Sequence, residues 1–141
     1  MTLTADIEEK IRASFSAQTL MNTLGAELEE VTQGFARITA PILPGSLQQQ
    51  GAAHAGVTFA IGDSAAGYAA LAMFELHHEI MTVEMKINLL RPAVGDRLVA
   101  EGRVVKPGKR LTIVTADVFA EADGERKQIA ILQGTMIPVG T

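Results

Sequence analysis

A carboxylate, Asp63, interrupts the middle of a run of apolar and small residues that extends from Ala55 to about Leu76. Burial disfavours the charged form of such a group and pushes its pKa above the reference of about 3.9. A carboxylate persists there when it is hydrogen-bonded, paired or put to use. Its structural role would be to cap a neighbouring backbone or to pair with Arg91 or Arg97; its chemical role would be that of a base or nucleophile. His54, Ala55 and Gly56 stand at the entrance to the same run. The first amides of a helix lack internal partners and carry the positive end of its dipole. A glycine there lets a substrate carbonyl approach the main chain, so that its N–H stabilises a developing oxyanion. Without that use, the three residues describe a plain helix start with His54 near the N-cap.

The elements that must position these groups follow from the pattern of apolar residues. Ile7, Ile11 and Phe15 recur every four residues within Leu3 to Gln18, which predicts an amphipathic helix with Thr4 as N-cap. Two short strands, Gly25 to Thr32 and Phe35 to Ala40, are joined at Gln33-Gly34, a dipeptide suited to a tight hairpin. Pro41 and Pro44 end the second strand, and Gly45 to Ala53 reads as a loop. The run from Ala55 to Leu76 is apolar on every side, so it predicts a helix covered on most faces. Ala60, Gly62, Ala65, Ala66, Gly67 and Ala69 would let a sheet come close.

In Thr82 to Leu90 the residues Val83, Met85, Ile87 and Leu89 alternate with Glu84, Lys86 and Asn88, the period of a strand. The turn from Arg91 to Asp96 leads into Arg97 to Lys106. Pro107-Gly108 and Asp123-Gly124 then separate Leu111 to Ala120 from Arg126 to Ile137. One helix with no polar face and three long antiparallel strands predict an α+β domain whose sheet curls around the helix. No repeat or linker divides the chain, so residues 1–141 read as one domain.

Composition narrows the function classes. A net charge of -4 with only short basic spots argues against a nucleic-acid partner. The chain has no cysteine, which excludes disulfides, thiolate metal sites and a cysteine nucleophile and agrees with a cytoplasmic location. Residues Met1 to Ser16 carry Asp6, Glu8, Glu9, Lys10 and Arg12, the wrong chemistry for a signal peptide. The stretch from Ala52 to Phe74 holds Asp63 and is rich in Ala and Gly, so it reads as a buried helix rather than a membrane span.

Gln48, Gly51, His54, Gly56 and Asp63 form the string Q-x-x-G-x-x-H-A-G-x-x-x-x-x-x-D. With the residues after Asp63 and the segment from Thr82 to Asp96, it resembles the hotdog-fold thioesterases of the phenylacetate-degradation (PaaI-like) group. The resemblance covers roughly residues 20 to 138. It implies a hotdog fold, an antiparallel sheet wrapped around one long central helix with an N-terminal helix outside, and an acyl-CoA thioester hydrolase.

By position, Asp63 matches the carboxylate that acts as general base or nucleophile, and Gly56 the glycine whose amide polarises the thioester carbonyl. His54 matches the motif histidine that shapes the helix entrance, and Thr82 a residue that helps orient water. The resemblance further implies that Asp63 of one copy faces Gly56 of another, hence a homodimer, and often a homotetramer. Coenzyme A would belong to the substrate, so no cofactor or metal is expected. Two positions depart from the motif: Gln48 replaces its asparagine and Ala55 its first glycine. Gln48 keeps the amide but adds a methylene, enough to move a contact and lower the rate.

Lys109 and Arg110 follow Pro107-Gly108 in a turn; they are ordinary solvated residues unless, as the resemblance implies, they meet coenzyme A phosphates. Arg91 is a second candidate for that contact. Tyr68, Phe59 and Met73 could line an acyl pocket, although such residues more often fill a core. Glu75, His77, His78 and Glu79 look metal-like, but adjacent histidines diverge on a helix and no further ligand completes a site. Ser64 lies in no nucleophile-elbow motif, so a serine hydrolase is rejected. Two other roles fit the same fold: a non-catalytic acyl-thioester-binding module, and a hydratase or dehydratase using a His/acid pair.

Overall fold

Residues 3–140 are described by a computed structural model; Met1, Thr2 and Thr141, which the single-domain span includes, lie outside them. Helix α1 (Ala5–Ala17) starts where Thr4 accepts a hydrogen bond from the Ile7 amide at 3.4 Å, and it buries Ile11 and Phe15. A short second helix, α2 (Thr19–Leu24), was not anticipated from the sequence. It ends at Gly25, whose φ of 67° supplies the left-handed cap that stops a helix.

Strands β1 (Glu27–Thr32) and β2 (Phe35–Pro41) form the expected hairpin, with Thr32 opposite Phe35 and Gly34 at φ 81°. The loop from Gly45 to Ala53 contains a single 3-10 turn and a bridge between Leu47 and Ala53. Helix α3 (Ala55–Leu71) follows, then β3 (Glu79–Leu89), β4 (Arg97–Lys106), β5 (Thr112–Ala122) and β6 (Glu125–Val139).

The six strands form one antiparallel sheet in the order β1-β2-β4-β5-β6-β3. It wraps α3, burying Ile61, Ala65, Ala66, Ala69 and Ala70 completely. The small residues do what their size predicts. A Cβ on Gly102 of β4 would stand 2.3 Å from the carbonyl carbon of Ala65, so the strand crosses the helix in backbone contact. A Cβ on Gly62 would stand 2.9 Å from Leu132 of β6. The α+β architecture expected from one unsided helix and a strand meander is therefore observed.

Two expectations are corrected. Helix α3 stops at Leu71 rather than Leu76: the next amides bond three residues back, Met73 to Ala70 and Phe74 to Leu71, and the chain then turns. The Lys10 ammonium of α1 holds that turn by donating to the carbonyls of Leu76 and His78. The second correction concerns β3, which begins at Glu79 and does not keep a period of two. Its register against β6 shifts between Thr82 and Glu84, leaving Val83 as an extra residue. Such a bulge exchanges the two faces. Ile80 and Thr82 face α3 before it, Met85 and Ile87 face inward after it, and Val83 is 56% exposed. Gly134 of β6 accommodates the bulge, since a Cβ there would lie 2.4 Å from the Glu84 carbonyl oxygen.

Candidate active site

Asp63 lies two turns into α3 on the flank that faces β3. Its Oδ1 accepts a hydrogen bond from Thr82 Oγ1 at 2.8 Å. Burial raises the carboxyl pKa above its ordinary value, and the hydroxyl bond from Thr82 partly offsets the rise. Neither arginine considered as a partner reaches it. Arg97 pairs with Glu121 at 2.7 Å, and Arg91 donates to the Gln128 carbonyl at 2.7 Å. Asp63 and Thr82 open together onto a cavity of about 240 Å³ that Gly67, Tyr68, Ser14 and Gln18 also line. A partly desolvated carboxylate oriented by a hydroxyl, beside a cavity, is a group able to take a proton from water or to attack a carbonyl.

The other motif residues gather at the start of α3. His54 is the N-cap, and its Nδ1 accepts the Gly56 amide proton at 2.8 Å. The amide expected to polarise a carbonyl thus already has a partner within its own chain, one that a ligand must displace or share. Gln48 Oε1 accepts from the amides of Gln50 and Ala52 at 2.6 and 3.2 Å, which fixes the loop before the helix. Its Nε2 makes no bond among the described residues. Gln48, Ala55 and Arg91 border a groove of about 570 Å³. Gly56 and Asp63 lie on the same side of α3 but about 10.5 Å apart along its axis. One thioester carbonyl cannot touch both within a single chain.

An antiparallel sheet wrapped around one long helix is also the architecture of known proteins. Residues 50–127 match the profile of the thioesterase superfamily. The chain belongs to that superfamily. A thioesterase-family protein from Silicibacter pomeroyi has the same structure with a TM-score of 0.93 and 38% identity, over 96% of this chain and 99% of the other. An esterase-named relative from Saccharolobus solfataricus is 30% identical over 84% of this chain and 76% of its own. The PaaI protein of the Escherichia coli phenylacetic acid degradation operon shares the fold with a TM-score of 0.88 at 22% identity, over 99% of this chain and 97% of the other. The hotdog fold implied by the sequence is therefore the fold of this member of a hydrolase superfamily.

Within this thioesterase-superfamily chain the basic candidates do not converge. Lys109, in the β4–β5 turn, borders a separate cavity with Met73, Phe74 and His78 beyond the end of α3. Arg91 lies near the start of that helix, about 25 Å away along its length. Arg110 is exposed beside Lys109. Of the three pocket candidates, Tyr68 borders the Asp63 cavity, Met73 borders the Lys109 cavity, and Phe59 is 36% exposed.

His77 and His78 do not diverge as they would on a helix. They lie in the turn after α3 with ring centroids 4.1 Å apart. Sequence reasoning missed Ser14 and Gln18. Their spacing of four, each three residues after the core positions Ile11 and Phe15, was the available signal. No described helix is long and apolar enough to cross a membrane.

Proposed function

We propose that this protein hydrolyses acyl-CoA thioesters, with Asp63 as general base or nucleophile. The observation that carries the reading is the partly buried Asp63 carboxylate, raised in basicity by burial, oriented by Thr82 and open to a cavity. As general base, Asp63 takes a proton from water while the water oxygen bonds to the thioester carbon. Collapse of the tetrahedral intermediate breaks the C–S bond, and the thiolate leaves to be protonated. The developing oxyanion needs a donor, and the Gly56 amide of a second copy suits that role. The spacing of Gly56 and Asp63 within one chain favours such an arrangement.

Strand β3 supports pairing of two copies. It is a sheet edge of 11 residues and exposes Met81, Val83 and Leu89, each 56% accessible. A long apolar edge is a template for another strand. The opposite edge, β1, is guarded by Glu27, Glu29 and Glu30. Joining two copies along β3 makes a dimer, and association of two dimers makes the proposed tetramer. Arg91 then serves coenzyme A phosphates from one copy and Lys109 with Arg110 from another.

A second reading is a binding module without turnover. It is favoured by the Gly56 amide being held by His54, and by the Gln48 oxygen being committed to its own loop. Thiol release from a panel of acyl-CoA esters, with wild type and Asp63→Asn at equal dimer content, separates the two. Turnover by wild type and a loss of about a hundredfold or more in the variant supports hydrolysis. Tight binding of an ester without turnover supports the module and overturns hydrolysis.

A further inference from the structure

The floor of the Asp63 cavity is polar in a particular way. Tyr68, 6% exposed on α3, receives a hydrogen bond from Gln18 Nε2 at 2.7 Å and lies 3.0 Å from Ser14 Oγ. A phenol has one proton to give. The Ser14 and Tyr68 hydroxyls carry two protons and use one in their mutual hydrogen bond, while Gln18 donates to the phenol oxygen. That leaves one hydroxyl proton and the Gln18 Oε1 lone pairs, and neither has a further partner among the described residues.

The group is held rigidly. Gln18 sits at the junction of α1 and α2, where its amide bonds to Phe15, and the Phe15 ring meets Tyr68 edge-on at 6.2 Å. One donor and one acceptor side by side match a neutral hydroxyl, which both accepts and donates.

The other polar ends of an acyl chain fit less well: an ammonium has no lone pair to accept the free hydroxyl proton, and the rest of the lining repels a carboxylate. Asp63 and Glu79 both border the cavity, and among the described residues no cationic side chain lines it; Lys10 is engaged outside, 3.1 Å from Glu79. A terminal carboxylate would therefore meet like charge. Gly67 keeps the passage open. A Cβ there would meet Ile80 and Met136 only at 3.9 Å, so packing does not require a glycine at this position. A mid-helix glycine nevertheless costs about 1 kcal/mol against alanine. Asp63 and Tyr68 both border this one cavity of about 240 Å³, a volume that suits a short acyl chain.

We infer that Ser14, Gln18 and Tyr68 form a subsite for a hydroxyl at the far end of the acyl group, so that the preferred substrates are short ω-hydroxyacyl thioesters. This rests on the hydrolase reading for its site and names the acyl class that reading leaves open.

The experiment compares ω-hydroxyhexanoyl-CoA, hexanoyl-CoA and the adipic acid monothioester of CoA on the wild-type protein and on Ser14→Ala and Gln18→Leu. Ser14 is half-buried on α1 and Gln18 half-buried at the α1–α2 junction, and the edge contact with Phe15 that seats the Tyr68 ring involves neither. The wild type is expected to favour the hydroxy ester over hexanoyl-CoA by about tenfold or more in kcat/KM, with the adipic ester the poorest. Each variant is expected to bring the first ratio towards one. Equal wild-type rates on the hydroxylated and plain esters overturn the subsite and leave the hydrolase reading standing. If no ester is cleaved, the hydrolase reading fails, and the dissociation constants of the same esters decide the subsite: a preference of about tenfold supports it and equality overturns it.

Discussion

Thr82 Oγ1 donates to Asp63 Oδ1 at 2.8 Å although the two residues sit on different elements, and the bulge at Val83 is what turns Thr82 towards the helix. The Met136 sulfur lies 3.2 Å from the same hydroxyl, but its single proton goes to the stronger, charged acceptor. That bond opposes the burial that raises the carboxyl pKa. Replacing Thr82 by valine removes the opposing contribution, so the pKa rises further. The acid limb of the kcat/KM profile of Thr82→Val should move to higher pH, with activity at neutral pH down roughly tenfold. An unshifted limb would mean that Asp63 is not the titrating base.

Asp63 should also cost stability. Its folded-state pKa is raised above the unfolded value, so the folded chain binds more protons between the two. Stability therefore falls as pH rises from the unfolded pKa through the folded one, and it stays reduced at neutral pH. Asp63→Asn removes that cost while keeping an oxygen for Thr82. Its Tm at neutral pH should exceed that of wild type, and the difference should vanish in acid, while turnover falls about a hundredfold or more. Thermal unfolding across pH checks the sign.

His54 separates capping from chemistry. Its Nδ1 satisfies the Gly56 amide, so His54→Ala should cost about 1 kcal/mol of stability. His54→Asp restores a capping oxygen and the stability, but its carboxylate competes harder than imidazole for the amide a substrate carbonyl must reach. The aspartate variant should therefore be as stable as wild type and slower by about tenfold or more. Restored activity along with restored stability would make Gly56 a structural residue only.

Gly102 sets how closely the sheet approaches the helix that carries Asp63. An alanine there would place its Cβ 2.3 Å from backbone atoms of α3, where no side chain can move aside. Gly102→Ala should lose more than about 3 kcal/mol and drop the Tm by more than about 10 °C. Gly67→Ala is the contrast: with neighbours at 3.9 Å, it should raise the Tm while narrowing the acyl cavity. Thermal unfolding of the pair measures both.

How far the sequence revealed this arrangement depends on the range of the signal. The all-apolar helix with Asp63 inside it, the hairpin at Gln33-Gly34 and strand β4 were legible because each is written in consecutive residues. Thr82 was suggested only by resemblance, and as a residue that orients water rather than as the partner of Asp63, because the strand's own alternation puts Val83, not Thr82, on the inner face. The bulge that reverses this depends on Gly134, 51 residues beyond Val83 on the neighbouring strand. The end of α3 at Leu71 was hidden for a similar reason: no Gly or Pro marks it, and the turn is held by Lys10, which precedes its partners by 66 and 68 residues. Ser14 and Gln18 lie off the apolar stripe of Ile7, Ile11 and Phe15, and their partner Tyr68 is 54 and 50 residues away in sequence.

The last prediction concerns the edge strand. Val83 is pushed outward by the bulge next to Thr82, so any copy that pairs along β3 must bury it close to the reacting groups. Val83→Lys puts a charge into that contact, where its desolvation is not compensated. The side chain is exposed in the single chain, so the fold should survive with an unchanged far-ultraviolet circular dichroism spectrum. Sedimentation should show the mass falling from at least twice the 15.0 kDa chain to the chain itself. Activity should fall with it, by about a hundredfold, because Gly56 and Asp63 are too far apart on one helix to hold the same carbonyl. A Val83→Lys protein that is monomeric yet fully active would place the whole reaction within one chain. The oxyanion donor would then have to come from somewhere other than Gly56.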